Sequence, residues 1–512
     1  MSKNSVLEIV AYGAWNGGIL VDNSGYEQKR LYFKGGIPVN NHTIEERMGV
    51  RTRKAAGTDE RIGATALQNL IDTSAIDPAH IKLVIGATNV GDDKYDPGPL
   101  VRYPYNIIRE QCPDAHVFDL YAGCPGFNVA VELVFMLSLT GFLKPEDLSI
   151  IIGAENLHRA KAFKPDDTAN IIFGDDALAT ALKTMSSANG AEQTGQYAIP
   201  QRSEFTLKKD PVSETAQQIF KLGENNDIDG IIIDNHLGSL VYRVPATAAR
   251  VQHALAELMF PEQTTAGTFK RFKEALAFYD QQINSFAYDI MTLDGKTEWV
   301  EEIAKAYVTS GKHKKVVSVY LSPELSIVTL HQGENYRFQP PVRGIVDALT
   351  RTHGCFADYI QAVADNDEIF GDMDGKGVFL YATRGAKTVL NELLFSNGIN
   401  LEDIDLLIEH QANFAMIPLT LAQVLNGDPA KIKKSVADLV ANKLITNVHE
   451  RGNCSVVCMQ RLPYDLARGA LQADTLQGFK INRNLERLKQ ANLILNDSVG
   501  SGMTRSAFLQ RV

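Results

Sequence analysis

This chain lacks a surplus of positive charge, a long apolar run and any dense set of cysteines. Its 512 residues carry 51 Lys and Arg against 61 Asp and Glu, a formal charge of -10, with the bases scattered among the acids. Nucleic-acid binders concentrate a basic footprint on one face, so no nucleic-acid partner is expected. No basic stretch followed by an apolar core opens the sequence, and no export signal is expected from it. No segment reaches the roughly 18 continuous apolar residues of a membrane span. The most apolar stretch, 127–139, is interrupted by Asn128 and Glu132 and reads as a buried helix. Five cysteines at 112, 124, 355, 454 and 458 are too few and too irregular for a disulfide scaffold. An odd count without an export signal points to reduced thiols in a cytoplasm. His236, His313, His331 and His449 show no ligand-like spacing with carboxylates or cysteines, so no metal is assigned.

What remains is a chain 45% hydrophobic and 22% charged, long enough for two or three domains or one large two-lobed body. Its first third alternates helix and strand signals, as α/β proteins do. The patterns predict helices at 60–71 and 104–111, strands at 82–87, 116–120 and 149–153, and a strand pair at 171–173 and 177–182 joined by Gly174-Asp175-Asp176. A weak echo follows near the C-terminus. The segments 76–85 and 399–408 share one plan, a helix end, a short acidic or Pro-bearing turn, then an apolar strand, and helical patterns precede both, at 60–71 and 384–396. Two related α/β halves facing their strand ends toward a shared centre would account for it. Between them, 183–207 reads as surface loop. Beyond it, 229–234 reads as a strand, 246–259 and 268–284 as helices, and 314–321 with 325–331 as a hairpin.

Three segments carry chemistry. Cys124 lies in Tyr121-Ala122-Gly123-Cys124-Pro125-Gly126, a tight turn between a strand and an apolar helix. There, helix-terminal N–H groups favour a thiolate and can stabilise an oxyanion. A buried structural cysteine is the bland alternative. His410 ends an apolar strand in Ile408-Glu409-His410-Gln411, and Asn453 sits in the Gly-containing turn Arg451-Gly452-Asn453-Cys454-Ser455. Presented from separate strand ends, Cys, His and Asn can serve as nucleophile, base and polar orienter. A packed histidine and a turn asparagine have the same local patterns.

Around these residues the sequence resembles the β-ketoacyl-acyl-carrier-protein synthase III family of the thiolase superfamily. The residues 122–127 resemble its nucleophile motif, His410-Gln411-Ala412-Asn413 its histidine motif, and Gly452-Asn453-Cys454-Ser455 its Gly-Asn-Thr-Ser motif. The segments 48–53, Phe173-Gly174-Asp175-Asp176, Met373-Asp374-Gly375 and 499–504 resemble four more of its signatures, in the family's order, across 47–182 and 372–505.

The resemblance implies a thiolase-like five-layered α-β-α-β-α fold of two related halves with an inserted α+β subdomain. It would divide the chain into 1–204 carrying the nucleophile, an insertion at 205–365, and 366–512 carrying His and Asn. The insertion is expected to cover or border the mouth of the site. The implied activity is decarboxylative Claisen condensation of a cysteine-bound acyl group with malonyl-acyl carrier protein. Cys124 is then nucleophile, His410 and Asn453 stabilise the enolate, the N–H groups of Cys124 and Ser501 form the oxyanion hole, and Arg47, Phe173 and Phe414 bind substrate. No metal or cofactor is implied beyond acyl and malonyl thioesters on acyl carrier protein or coenzyme A. Acyl carrier protein is the implied partner, and a homodimer through an edge strand of the N-terminal half the implied assembly.

The departures bear on substrate choice. Thr43 stands where the family places an adenine-clamping tryptophan, Asp167 where it places the partnering arginine, and Ala415 where an arginine often meets the carrier. Lys431, Lys433 and Lys434, or Lys270, Arg271 and Lys273, are candidate carrier patches, although a charge run is often only a solvated face. Cys454 is either a second thiol at the site or, being similar in size to the threonine it replaces, a packing residue. The alternatives are an acyltransferase on the same fold that moves an acyl chain to an amine, alcohol or thiol without decarboxylation, and a non-catalytic partner subunit. A head-to-head condensing enzyme and a hydroxymethylglutaryl-coenzyme A synthase-like enzyme fit less well, the latter for want of a recognisable catalytic glutamate.

Overall fold

The computed structural model describes the chain apart from 1–4, 28, 34, 59, 92–99, 165–166, 187–195, 224–226, 240, 242, 266–270, 335–337, 366–367 and 426. The N-terminal part runs β1 (Ser5–Ala14), α1 (Ile62–Thr73), β2 (Ile81–Ala87), α2 (Arg102–Ile108), β3 (His116–Tyr121), α3 (Gly126–Leu139), β4 (Leu148–Glu155) and β5 (Asp176–Ser186). Next come β6 (Gln201–Phe205), α4 (Pro211–Leu222), β7 (Gly230–Asn235), α5 (Thr247–Met259), β8 (Phe286–Thr292), α6 (Thr297–Thr309), β9 (Lys315–Leu321) and β10 (Ser326–Glu334). The C-terminal part contains β11 (Gly344–Thr352), α7 (Ala386–Ser396), β12 (Leu406–Glu409), α8 (Pro429–Asn442), α9 (Cys458–Ala467), β13 (Leu493–Gly500) and β14 (Thr504–Arg511).

Two sheets organise these elements. The larger has the order β1-β5-β4-β2-β3-β8-β7-β9-β10, with β6 and the short strand Gln196–Tyr197 both on β10. The smaller has the order β11-β14-β13-β12. All fourteen residues of α3 are buried. It lies between the two sheets, which is why the helix is apolar all round rather than on one stripe. The largest core cluster is built around it from both sheets, including Ile151, Ile345 and Phe508. Helices α1 and α7 cover the outer faces, giving the layers α-β-α-β-α.

The two halves share a plan. In the first, β2 is parallel to β3 and β4, while β5 is antiparallel to β4 and β1. In the second, β12 is parallel to β13, β14 is antiparallel to β13 and β11, and Leu444 bridges Leu407 in parallel where a short counterpart of β3 falls. The helices preceding β2 and β12 begin at Ile62 and Ala386, close to the sequence expectation.

Three expectations are corrected. Residues 171–173 are no strand: Thr168–Ile171 is a 3-10 turn, and Phe173 makes one parallel bridge, to Asn453. The insertion is not a separate α+β body, because β8 pairs with β3 and continues the N-terminal sheet with parallel strands. Its expected end at 365 is too late, since β11 belongs to the C-terminal sheet. The pairing of β8 also takes up the outer side of β3 within the chain, and β1 is the strand of the N-terminal half that stands at an edge of the sheet. Part of the loop expected at 183–207 lies outside the described residues, and β6 is a strand within the rest.

Candidate active site

Cys124 stands at the C-terminal end of β3, where the chain turns into α3. Gly123 makes the turn with φ +70°, and a Cβ there would lie 2.5 Å from the Ser501 nitrogen. A Cβ on Gly500 would lie 2.4 Å from the Cys124 nitrogen. The two loops thus approach backbone to backbone, which only glycine permits. Neither the Cys124 nor the Ser501 N–H is taken up by a turn or loop hydrogen bond among the described residues. Pro125 is the N-cap residue of the helix, where a missing N–H costs little.

His410 follows the last residue of β12 and is held by its N–H donating to the Asp497 carbonyl at 2.9 Å. Its ring is buried, and Nδ1 has no hydrogen-bond partner among the described residues. Burial works against a charged ring. The thiols of Cys124 and Cys458 beside it outweigh that and hold its pKa up, at about 10. Asn453 is fixed by its N–H donating to the Ile172 carbonyl at 2.6 Å. Its Oδ1 accepts from the Ser455 N–H at 2.8 Å, and the amide N–H2 end has no hydrogen-bond partner among the described residues. Cys124, His410, Asn453 and Phe173 line one cavity together. A second, largely apolar pocket opens from Cys124 between Phe163, Phe173, Leu157, Val244 and Ile360.

Of the expected substrate-binding residues, Phe173 lies at the site, its ring stacked on Phe163 with centroids 5.2 Å apart. Ser501 lines the apolar pocket beside Cys124. Arg47 does not join them: it is exposed in the last turn of a short helix, its guanidinium 5.5 Å from the Phe33 ring. Phe414 is fully buried core, packed on Phe479. Thr43 and Asp167, at the missing clamp positions, cap the starts of Asn41–Met48 and Thr168–Ile171. Lys431, Lys433 and Lys434 are exposed on α8, with Lys431 paired to Asp428. Arg271 pairs with Glu274, and Lys270 lies outside the described residues.

Sequence reasoning missed a chain of polar groups behind the thiol. The Ser455 hydroxyl donates to Cys124 Sγ at 3.3 Å and accepts from Asn89 Nδ2 at 2.8 Å. Glu155 Oε1 accepts from the Asn89 backbone N–H at 2.8 Å and from Nδ2 at 2.6 Å. Glu155 is fully buried, and burial pushes its pKa up to about 7 despite those bonds. Cys458 was also missed. Burial would raise its thiol, but hydrogen bonds with Cys454 and His410 outweigh that and bring it down to about 6. Cys458 rather than Cys454 is therefore the second thiol at the histidine.

No protein-family model matches the chain. Among curated proteins, it is 28% identical over 243 residues to the β-ketoacyl-[acyl-carrier-protein] synthase III of Histophilus somni, covering 43% of this chain and 73% of that one. It is 30% identical over 153 residues to the protein of the same name from Sphingopyxis alaskensis, covering 28% and 44%. The match thus spans about half the length of several such relatives. The structure superposes on 3-oxoacyl-[acyl-carrier-protein] synthase III from Aquifex aeolicus with TM-score 0.53 at 16% identity, covering 99% and 100% of the two chains. It superposes on the priming β-ketosynthase of the R1128 polyketide pathway with TM-score 0.54 at 14% identity, covering 100% and 98%. The chain is thus similar in sequence to β-ketoacyl-[acyl-carrier-protein] synthase III proteins and shares their fold. Its fold is that of the superposed synthases, and strands β6–β10 are carried on the N-terminal sheet.

Proposed function

We propose that this chain is a condensing acyltransferase that joins a Cys124-bound acyl group to malonyl-acyl carrier protein by decarboxylative Claisen condensation. The observation that carries it is the convergence of Cys124, His410 and Asn453 on one cavity, with an apolar pocket opening from the thiol. The relatives' names supply the reaction class and the carrier.

In the first half-reaction, the Cys124 sulfur attacks an acyl thioester. The oxyanion of the tetrahedral intermediate accepts from the Cys124 and Ser501 N–H groups, and the carrier thiol departs with the proton. In the second, malonyl thioester loses carbon dioxide and leaves an enolate, whose oxygen accepts from His410 and the Asn453 amide. The carbanion attacks the acyl-cysteine carbonyl, the carbon–sulfur bond breaks, and β-ketoacyl thioester leaves as the Cys124 sulfur is restored. Fixed donors aimed at a developing oxyanion are worth more than water, and losing one costs about 3 kcal/mol. The Ser455 hydroxyl at 3.3 Å from Sγ orients the sulfur. The acyl donor is a thioester of coenzyme A or of a carrier protein, bound without the tryptophan–arginine clamp. The exposed lysines of α8 are the basic face offered to an acidic carrier.

The test is reconstitution with an acyl thioester and malonyl-acyl carrier protein, followed by mass spectrometry of the carrier. A β-ketoacyl carrier formed with release of carbon dioxide supports the proposal. Transfer of the acyl chain to an amine, alcohol or thiol acceptor with no loss of carbon dioxide would replace it.

A further inference from the structure

The strands that extend the N-terminal sheet repeat its design. Counted outward from the β3–β8 seam, one side reads β3, β2, β4, β5, β1 and the other β8, β7, β9, β10, β6. Both sides follow the chain order strand, helix, strand, helix, strand, helix, strand, strand, the first with short added pieces between β1 and α1 and the second with two added short helices, Pro261–Thr265 and Phe272–Phe278, between α5 and β8. The directions agree as well: β7 is parallel to β8 and β9, and β10 is antiparallel to β9 and β6.

Connectivity alone is common in α/β units, but three details here are not required by it. Asp119 in β3 is buried and accepts from the N–H groups of Leu100 and Val101, ahead of α2. Asp289 in β8 is buried and accepts from those of Thr247 and Ala248, at the start of α5. Gly91 and Gly238, each ten positions before the second capped N–H, both have left-handed φ, 72° and 81°. Gly141 and Gly311, each 22 positions after the aspartate and following α3 and α6, do so too, at 74° and 75°.

The seam supplies an independent check. Leu120 pairs with Ile290, each directly after its aspartate, while Asp119 pairs with Met291 and Tyr121 with Asp289. Equivalent positions are thus paired about a local two-fold axis, the register of an isologous dimer interface. At the position of Cys124, five after the aspartate, the second unit has Asp294. From the loop between β7 and α5 it also reaches the first unit's site. There Val244 lines the apolar pocket beside Cys124, and its carbonyl accepts from the Ala362 N–H at 2.7 Å.

We propose that residues 201–334 are a duplicated, nucleophile-free copy of the N-terminal half that takes the seat of a second subunit and completes the acyl pocket from within the chain. Val244 is its specificity-determining residue. This rests on the reading of Cys124 as the acylated nucleophile.

The test measures the loading rate of Cys124 by intact-protein mass, with a ladder of straight-chain acyl-coenzyme A and acyl-carrier thioesters, for wild type, Val244→Phe and Val244→Ala. Val244→Phe is expected to lower the long-to-short loading ratio, and Val244→Ala to raise it, each on the order of tenfold. The wild-type rate constant is expected not to change as the protein is diluted from micromolar to nanomolar. An unchanged ratio in both variants would overturn the role of Val244. A loading rate that falls on dilution would overturn completion within one chain. Absence of acyl mass in wild type with every thioester would instead sink the reading of Cys124.

Discussion

At the scale of residues, the site divides into groups that touch the reacting atoms and groups that place them. In the proposed reaction, His410→Ala and Asn453→Ala would each remove a donor to the enolate. Each is expected to lower condensation turnover on the order of 10²–10³-fold, with the thermal transition close to wild type. Steady-state kinetics beside calorimetry checks this, and unfolding of either variant would mean core residues. Cys, His and Asn were legible in the sequence because each sits in a short motif at a strand end. Ser455 was visible only as a member of the Asn453 motif, and Asn89 and Glu155 were not visible at all, since they lie far from it in the sequence. Cys458 lies five residues after Asn453, and only the turn through Ser455–Val457 brings it back under the histidine. Phe414, beside the histidine motif, packs in the core, and Arg47, beside the early motif, is exposed next to the Phe33 ring.

At the scale of elements, two loops and one strand end set the geometry. Gly500 has an extended backbone, so any residue can adopt its conformation, but an added Cβ meets Cys124 N at 2.4 Å. Gly500→Ala should cost about 1–3 kcal/mol of stability through overpacking. It should also lower acyl loading on the order of 10²-fold by displacing the oxyanion donors. Loading at wild-type rate would show that the Cys124 and Ser501 loops are not coupled.

Glu155 closes β4, and its Oε2 is buried without a hydrogen-bond partner among the described residues. Its folded pKa, about 7, lies above the ordinary glutamate value of 4.5, so between those values the folded state binds the proton more tightly. Stability contributed by this group is present below pH 4.5 and lost as pH rises through about 7. Glu155→Gln should therefore gain on wild type in melting temperature between pH 5 and pH 8. A difference that stays flat with pH would contradict the burial argument. The strand ends around these groups were legible within a few residues, because short apolar runs bounded by Gly and Pro mark them. The Phe173 segment was misread, because its apolar run Ile171-Ile172-Phe173 packs beside the site through one bridge rather than a ladder.

At the scale of the molecule, the two-half plan was visible in the echo of 76–85 at 399–408. The repeat in the middle was not. Its strands β7, β9 and β10 are visible as apolar runs in the sequence, but β8 and the helices α4 and α6 are not marked by the same patterns. With the seam strand missing, the segment looked like an appended body. The seam lies in the middle of a continuous sheet, so the amides of 116–121 and 286–292 should be among the slowest to exchange. Hydrogen exchange of the whole protein checks this, and fast exchange confined to 286–292 would mean that β8 docks only loosely. Such a sheet leaves β3 no free edge for pairing with another copy.

The central claim is that Cys124 carries an acyl group next to His410 and Asn453. Its most direct measurement is the intact mass of the protein after incubation with acyl thioesters, with peptide mapping of any adduct. The account predicts one acyl mass increment per chain, located on the peptide holding Cys124 and absent from Cys124→Ala. An increment of equal size in Cys124→Ala, or one mapping to Cys458, would contradict it.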